Sequence, residues 1–428
     1  MDYIQVTFHR VAVYQMAAFP CALLYGYLCS SGHLPITLRY IYLLVGGVIL
    51  ACVSMGLYAI LIFLPALCST ALFYIVSWES VHKWTFLLQM SWQTVCHLWL
   101  MYRQYYLEET MPVKLSILIS SLMILTQKVT YLAIDLHERK ITFTVKQCTK
   151  EKSSHPQEGR SNVLAILSYL MFFPALLGGP LCSFVDFQQQ VNKVSLCPNF
   201  RPAWMLIKGV TMFMLLQILR AVLLEKITFQ CDLMDCRHLD CIYVMWSTAL
   251  IFKLTYYSHW LLDEALFHTA GFSICSHAVV SDINIFTLET TNKISVFART
   301  WNKSTTMWLR RLVFGNCRTR PVLCTFAFSA WWHGLYPGQI FGFLCWGLMV
   351  EADYRIHKNL DCASKPWYIR YLYKICTWLQ TQFIIAFVMM AIEGRTLANI
   401  LALCFSYNSL FPIIYCMSFL FLGKLKKE

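Results

Sequence analysis

The chain has 428 residues, of which 58% are hydrophobic and only 13% are charged, against about 25% charged in ordinary soluble proteins. This balance excludes a soluble globular protein and predicts a polytopic membrane protein. The formal net charge of +13 gathers in a few loops without a nucleic-acid motif. We therefore expect the charge to set membrane orientation and to attract anionic ligands, with the lipid bilayer but no nucleic acid as a partner.

Apolar windows that are long enough to cross the hydrocarbon core, or nearly so, follow one another along the chain. They lie at about 10–29, 38–55, 57–77, 84–101, 112–135, 162–184, 205–227, 241–262, 321–335, 338–356, 374–394 and 400–422. The longest polar interval separates the eighth window from the ninth. This pattern predicts an all-α fold.

The window at 162–184 is the weakest candidate for a span, because prolines and glycines interrupt it between Phe172 and Pro180. Two basic intervals, 136–161 and 273–320, belong in the cytosol under the positive-inside rule, yet three windows lie between them. An odd number of crossings cannot join two cytosolic loops, so we predict that 162–184 is a re-entrant segment. About eleven transmembrane helices remain.

Counting outward from the basic intervals predicts a lumenal N-terminus and a cytosolic C-terminus. The tail Lys424–Glu428 matches the K-x-K-x-x retrieval pattern of endoplasmic reticulum membrane proteins. A basic flank that stops transfer through the membrane explains this tail equally well. We expect a multi-pass protein of the endoplasmic reticulum membrane.

The interval that follows the eighth window combines a basic face with an apolar stripe. Trp301, Trp308, Leu309, Leu312 and Val313 recur at helical spacing, which predicts one amphipathic helix over residues 293–313. An interfacial helix with nothing bound would show the same pattern. The sequence 302–304 is formally a glycosylation sequon, but its predicted cytosolic placement argues against glycosylation.

A short apolar helix pattern runs from Pro321 to His333 and then meets Gly334, Pro337 and Gly338. A helix of this length covers about 20 Å and falls short of a hydrocarbon core of about 30 Å. The pattern therefore predicts a histidine inside the membrane, where an ionisable side chain is costly and commonly functional. A structural histidine bonded to a neighbouring helix is the alternative.

One run of possible metal ligands lies at the edge of a membrane window: Cys231, Cys236, His238 and Cys241. The spacing is not that of a zinc finger, so we expect no metal site.

The Trp301–Asn302 pair in a basic helix, followed by an apolar helix that ends Trp332-His333-Gly334 and continues to Pro337-Gly338, resembles the membrane-bound O-acyltransferase family. Within the family the chain resembles the members that acylate a secreted peptide, over essentially its whole length. This wider resemblance is carried by Lys83–Phe86, Gln89–Thr94, Phe172–Phe184 and Phe252–Trp260. It implies one membrane-embedded domain over residues 1–428 that encloses a central catalytic channel.

The resemblance implies that Asn302 and His333 are the catalytic pair. They would join a medium-chain acyl group, octanoyl, to a serine hydroxyl near the amino terminus of a secreted peptide. Histidine suits the removal of the serine proton at neutral pH. The asparagine amide can donate to the developing oxyanion or position the thioester. We expect acyl-CoA, here octanoyl-CoA, as a co-substrate and no tightly bound cofactor.

Further site residues follow from charge and periodicity around this pair. Cytosolic acyl-CoA would be drawn to basic side chains, whereas a secretory peptide would enter from the lumen. Phe326 lies two helical turns before His333 and would face the same cavity. The expected CoA-phosphate residues are Arg299, Lys303, Arg310 and Arg311; the expected acyl-pocket residues are Phe326, Trp332 and Trp346; the expected peptide-path residues are Tyr256 and His259, for which a polar inter-helix network is the alternative.

Two other functions share some of these features. A lysophospholipid or other lipid O-acyltransferase of the same family would keep the catalytic pair and differ in the acceptor. A transporter would also use broken helices and buried polar groups, but it usually shows inverted repeats, which we do not find in this sequence.

Overall fold

The computed structural model describes residues 2–140, 163–192, 201–228, 239–272, 284–359, 366–394 and 396–424. Within these ranges all regular structure is helical, which confirms the all-α prediction. The helices are α1 Asp2–Ser30, α2 Ile36–Met55, α3 Ile60–Ile75, α4 Val81–Tyr105, α5 Val113–His137, α6 Val163–Leu170, α7 Phe184–Asn192, α8 Arg201–Thr228, α9 Leu239–Thr269, α10 Ile285–Thr290, α11 Ile294–Thr300, α12 Lys303–Leu309, α13 Pro321–His333, α14 Pro337–Asn359, α15 Trp367–Glu393, α16 Leu397–Phe405 and α17 Leu410–Lys424.

Five stretches of the described chain are long and apolar enough to cross a membrane, or six if the bent pair α16–α17 forms one span. Helices α4, α9 and α14 have the length to cross, but they carry polar side chains that the protein buries, among them Gln89, Lys253 and Asp353. Such residues lower the hydropathy of a helix without preventing it from spanning. The chain is therefore a multi-pass membrane protein, and the count of about eleven spans stays a prediction.

The described chain divides into two compact units. The first contains Met1–Thr211 and His259–Ser281, and the second contains Met212–Ser258 and Asp282–Glu428. The single domain over residues 1–428 stays a prediction. Most of the retrieval tail, residues 141–161 of the first basic interval and residues 273–283 of the second lie outside the described residues.

In the first unit the window at 162–184 is broken, as its prolines and glycines indicate. Helix α6 has 8 residues, which is about 12 Å and too short to cross. A single turn at Phe173–Ala175 and non-helical backbone lead on to α7. Tyr169 and Phe172 are fully buried, and the ammonium of Lys128 on α5 lies over both rings, at 5.8 Å and 6.0 Å from their centroids. Protein therefore surrounds this irregular backbone, which is the condition under which such backbone is tolerated within a membrane, and the re-entrant placement stays a prediction.

In the second unit α14 packs against α11, α13, α15 and α17. Glycines let the neighbouring helices approach it closely. A Cβ atom on Gly338 would lie 1.6 Å from the carbonyl oxygen of Gly394, and one on Gly347 would lie 2.9 Å from the Cβ of Phe326. Helix α14 is therefore the element against which the other helices of this unit are placed.

We expect Gly338→Ala to lower the thermal stability of the protein. The added methyl group would overlap the Gly394 carbonyl, and overpacking of this kind costs about 1–3 kcal/mol or more. Thermal unfolding of the purified protein in detergent measures the effect. Ala71→Leu, which adds bulk at an exposed position of α3, is the control and should leave the midpoint unchanged. An unchanged midpoint for Gly338→Ala would contradict the close packing of α14.

Candidate active site

Helix α13 begins at Pro321 and ends at His333, which confirms the predicted half-helix of 13 residues. Proline is favoured in the first turn because its missing N–H would have no partner within the helix. Gly334 then adopts φ 150° and ψ −178°, and its N–H reaches the Ala330 carbonyl at 3.2 Å. A side chain at that φ is strained, so the glycine fixes where the helix ends. Helix α14 starts three residues later, at Pro337.

The imidazole of His333 lies between aromatic rings. Phe343 of α14 stacks on it with ring centroids 4.6 Å apart, and Trp332 meets it edge-on at 4.7 Å. The imidazole is partly buried. These contacts hold the ring in a largely apolar setting, in which charge–dipole interactions with a reacting group are stronger than in water.

Aromatic side chains continue from His333 along the α13–α14 interface. Trp346 follows Phe343 at 6.3 Å, and Phe326 lies 5.5 Å from Trp346. We call His333, Phe343, Trp346 and Phe326 the aromatic row. The indole N–H of Trp346 is buried and has no hydrogen-bond partner among the described residues. A buried donor of this kind is a place where a bound molecule can supply the acceptor.

The prediction of one amphipathic helix over residues 293–313 is wrong. The chain forms α11 up to Thr300, breaks at Trp301–Asn302, and resumes as α12, which passes into a π-helical turn at Arg310–Phe314. The break arises because Asn302 adopts φ 47° and ψ 74°, a left-handed conformation that asparagine tolerates. The spacing of apolar side chains in the sequence does not reveal such a change of backbone conformation.

The side chain of Asn302 is oriented by the helix that it starts. Its Oδ1 atom accepts the Thr305 backbone N–H at 3.1 Å, as an N-cap residue does. The carbonyl end of the amide is thereby engaged, and Nδ2 is the end that can donate to a bound molecule. This arrangement suits an asparagine that donates to an oxyanion.

Aromatic contacts connect the neighbourhood of Asn302 to the aromatic row. Trp301 stacks on Phe297 with centroids 5.6 Å apart, and Phe297 lies 6.3 Å from Trp346. The break that carries Asn302 and the helix end that carries His333 thus border one contiguous aromatic cluster within the second unit.

The expected CoA-phosphate residues follow one another along α11, α12 and the π-helical turn. Arg299, Lys303 and Arg310 are exposed and Arg311 is partly exposed. Arg299 also donates to the Tyr354 hydroxyl at 3.2 Å. Their binding of CoA stays a prediction.

The predicted peptide-path residues and Trp332 of the predicted acyl pocket lie in different parts of the structure. Tyr256 meets Trp301 edge-on at 5.6 Å, next to Asn302. His259 belongs to the first unit, where its Nδ1 lies 3.2 Å from Oε1 of Gln15. His259 therefore takes part in a polar network between α1 and α9, and its place in a peptide path stays a prediction. Trp332 packs on Trp308 at 5.0 Å and so joins α13 to α12.

Two residues of the cluster, Phe297 and Phe343, are absent from the sequence-based set. Phe343 lies one helical turn before Trp346, so the helical period of α14 would have placed it beside that residue. Phe297 lies one turn before Trp301, so the helical period of α11 would likewise have placed it beside Trp301.

Only one of the four possible metal ligands lies within the described residues. Cys231, Cys236 and His238 lie outside the described residues, and Cys241 is disulfide-bonded. Within the described part of the chain no group of three or more His, Cys, Asp or Glu side chains is arranged to hold a metal ion.

The chain is similar in sequence to known proteins of one family. The sequence model of the membrane-bound O-acyltransferase (MBOAT) family matches residues 109–392. The chain is 50% identical to membrane-bound ghrelin O-acyltransferase of Rattus norvegicus and 49% identical to that of Mus musculus, over 100% of each chain. It is also 26% identical to membrane-bound glycerophospholipid O-acyltransferase 2 of Gallus gallus, over 85% of this chain and 74% of the relative.

Proposed function

Because the chain belongs to the membrane-bound O-acyltransferase family, we propose that it transfers an octanoyl group from octanoyl-CoA to a serine hydroxyl near the N-terminus of ghrelin. The enzyme class, O-acyltransferase, follows from the family and from the full-length relatives. Ghrelin is proposed as the acceptor because the two relatives that are 50% and 49% identical are named ghrelin O-acyltransferase. The acyl chain, the CoA donor and the serine are our proposals.

In the proposed reaction His333 removes the proton from the serine hydroxyl as the oxygen attacks the thioester carbonyl. The Asn302 amide donates to the oxyanion that forms on that carbonyl. When the carbon–sulfur bond breaks, His333 returns the proton to the CoA sulfur. No covalent acyl-enzyme is needed, because both substrates meet at one site.

The single observation that carries this proposal is the contiguous aromatic cluster bordered by the Asn302 break and by His333. Rings on both sides of Trp346 offer an apolar surface for an acyl chain. The exposed basic side chains at 299–311 offer charge for the CoA phosphates.

The compartments of the two substrates support a passage through the protein. Acyl-CoA is cytosolic and a secretory peptide is lumenal, so a reaction between them needs a central channel. We propose that about eleven spans and a re-entrant segment enclose it in the endoplasmic reticulum membrane, with the N-terminus in the lumen and the C-terminus in the cytosol. Tyr256, next to Trp301, and His259 are proposed to lie on the peptide path.

A membrane preparation supplied with labelled octanoyl-CoA, a ghrelin peptide and a lysophospholipid tests the proposal. We expect label on the peptide as a serine ester. Label on the lysophospholipid alone would favour the second candidate, a lipid O-acyltransferase, which the 26% identity to a glycerophospholipid enzyme supports. Uptake of octanoate without ester formation would indicate the third candidate function, that of a transporter.

Phe326→Ala is expected to shift donor preference towards longer acyl chains. The ring lies against Trp346 and Gly347, and removing it extends the apolar surface available to the chain. Each additional buried methylene contributes about 0.8 kcal/mol, so the two extra methylenes of decanoyl-CoA should raise the ratio of its kcat/KM to that of octanoyl-CoA by about tenfold. Phe286→Ala, at a 78% exposed phenylalanine, is the control. An unchanged ratio would place the acyl chain elsewhere.

A further inference from the structure

Asp353 on α14 is a buried carboxylate, 1% exposed, that binds the start of α11. Its Oδ1 accepts the Ile294 N–H at 3.2 Å and its Oδ2 accepts the Ser295 N–H at 3.0 Å. The two oxygens thus take two of the backbone donors that a helix N-terminus leaves without a partner.

Helix α11 has no cap of its own. Lys293 occupies the N-cap position and makes no side-chain hydrogen bond to the helix. The carboxylate that supplies the cap belongs to Asp353, 58 positions after Ser295 in the chain. A negative charge at this end also interacts favourably with the helix dipole.

The carboxylate is also held by contacts that do not involve α11. The Tyr415 hydroxyl of α17 donates to Oδ1 at 2.7 Å, and Nε2 of His357 lies 3.3 Å from the same oxygen. The Tyr373 hydroxyl of α15 lies 2.8 Å from Nδ1 of His357. The position of Asp353 is therefore fixed independently of α11.

The last turn of α11 is tied to the same helix. Arg299 donates to the hydroxyl of Tyr354, the residue after Asp353. Helix α14 thus holds α11 at both ends, and ten residues earlier it carries Phe343, whose ring stacks on His333. At 1.5 Å per residue these two contacts lie about 15 Å apart along a rigid helix.

From this arrangement we propose that Asp353 is a positioning residue for acyl transfer. It anchors α11 so that the break after Thr300 presents the Asn302 amide at a fixed distance from His333, with α14 as the common support. This inference rests on the proposed function only in that Asn302 and His333 are taken as the reacting pair. The inference adds to the two reacting residues a third residue, Asp353, that contacts neither substrate.

Asp353→Asn is expected to lower kcat by ten- to a hundredfold and to leave KM for octanoyl-CoA and for the peptide within threefold. The asparagine fits the same space but turns an N–H group towards one of the two α11 donors, which displaces the helix. A misplacement of about 1 Å in a catalytic group can cost about a hundredfold in rate. The pH profile of kcat should keep its shape, because the substitution leaves the proposed base, His333, in place.

Asp186→Asn is the matched control, since it makes the same substitution at a buried carboxylate of the first unit, to which the Ser183 hydroxyl donates. Its kcat should stay within threefold of the unmodified enzyme. If Asp353→Asn is not recovered folded, Asp353→Glu keeps the charge but moves the carboxylate by about 1.5 Å, one bond length, and should show the same loss in kcat.

Purified enzyme in detergent is compared by kcat per folded molecule, with thermal unfolding recorded for each variant. A loss in the Asp353 variant that is recovered folded, with KM unchanged and Asp186→Asn active, supports the inference. A kcat per folded molecule within threefold in that variant, a shifted pH profile, or an equal loss in Asp186→Asn would overturn it. The assay uses whichever acceptor the unmodified enzyme acylates, so a failure of the ghrelin proposal remains distinguishable from a failure here.

Discussion

Acyl transfer to the peptide should fall by about 10²- to 10⁴-fold when His333 is replaced by alanine, the range that general base catalysis contributes. The serine hydroxyl then has no base to take its proton. Helix α13 should still form, because Pro321 and Gly334 set its ends and alanine is a strong helix former. Initial rates with labelled octanoyl-CoA, normalised to folded protein, measure the effect.

His33→Ala is the matched control, since His33 is exposed in the turn between α1 and α2. This variant should keep the full rate. If His333→Ala retained more than a tenth of the activity, the imidazole would not be the base, and the aromatic contacts around it would be structural only.

Asn302→Asp should lower kcat by about 10²- to 10³-fold, the typical cost of losing one oxyanion donor. Aspartate keeps an oxygen for the Thr305 N–H and tolerates the left-handed backbone. It loses the Nδ2 donor and adds a negative charge where the oxyanion forms. A loss in kcat with little change in KM would identify an interaction made in the transition state.

Asn302→Gly separates the amide donor from the helix cap. Glycine adopts φ 47° without strain but removes both ends of the side chain. If activity depends on the donor, the two variants should lose similar amounts of kcat, although only Asn302→Gly loses the cap. If Asn302→Asp stayed within threefold of the unmodified enzyme while Asn302→Gly was inactive, the cap alone would be the role of this residue.

The amino-acid sequence by itself determined the class of fold and the ends of the helix that carries His333. Apolar composition requires helices in a membrane, because the bilayer offers backbone groups no other partner. The breaks at 172–180 and at Gly334 were predictable because proline and glycine act through their own covalent structure. The pattern of its helix singled out His333, whereas Asn302 was assigned to the site by the resemblance, and the structure places both in the second unit.

Only the tertiary structure decided how these residues are held. The break at Trp301–Asn302 was missed because periodicity counts side chains and does not detect a left-handed residue that caps the next helix. Asp353 could not be assigned a role from its position, since its partners Ile294 and Ser295 lie 59 and 58 residues away. Phe343 meets His333 because α14 packs on α13, where Gly347 lets the two helices approach closely at Phe326. Local preferences set where each helix begins and ends, whereas contacts between residues distant in sequence set which side chains meet, and a single sequence carries no direct record of those contacts.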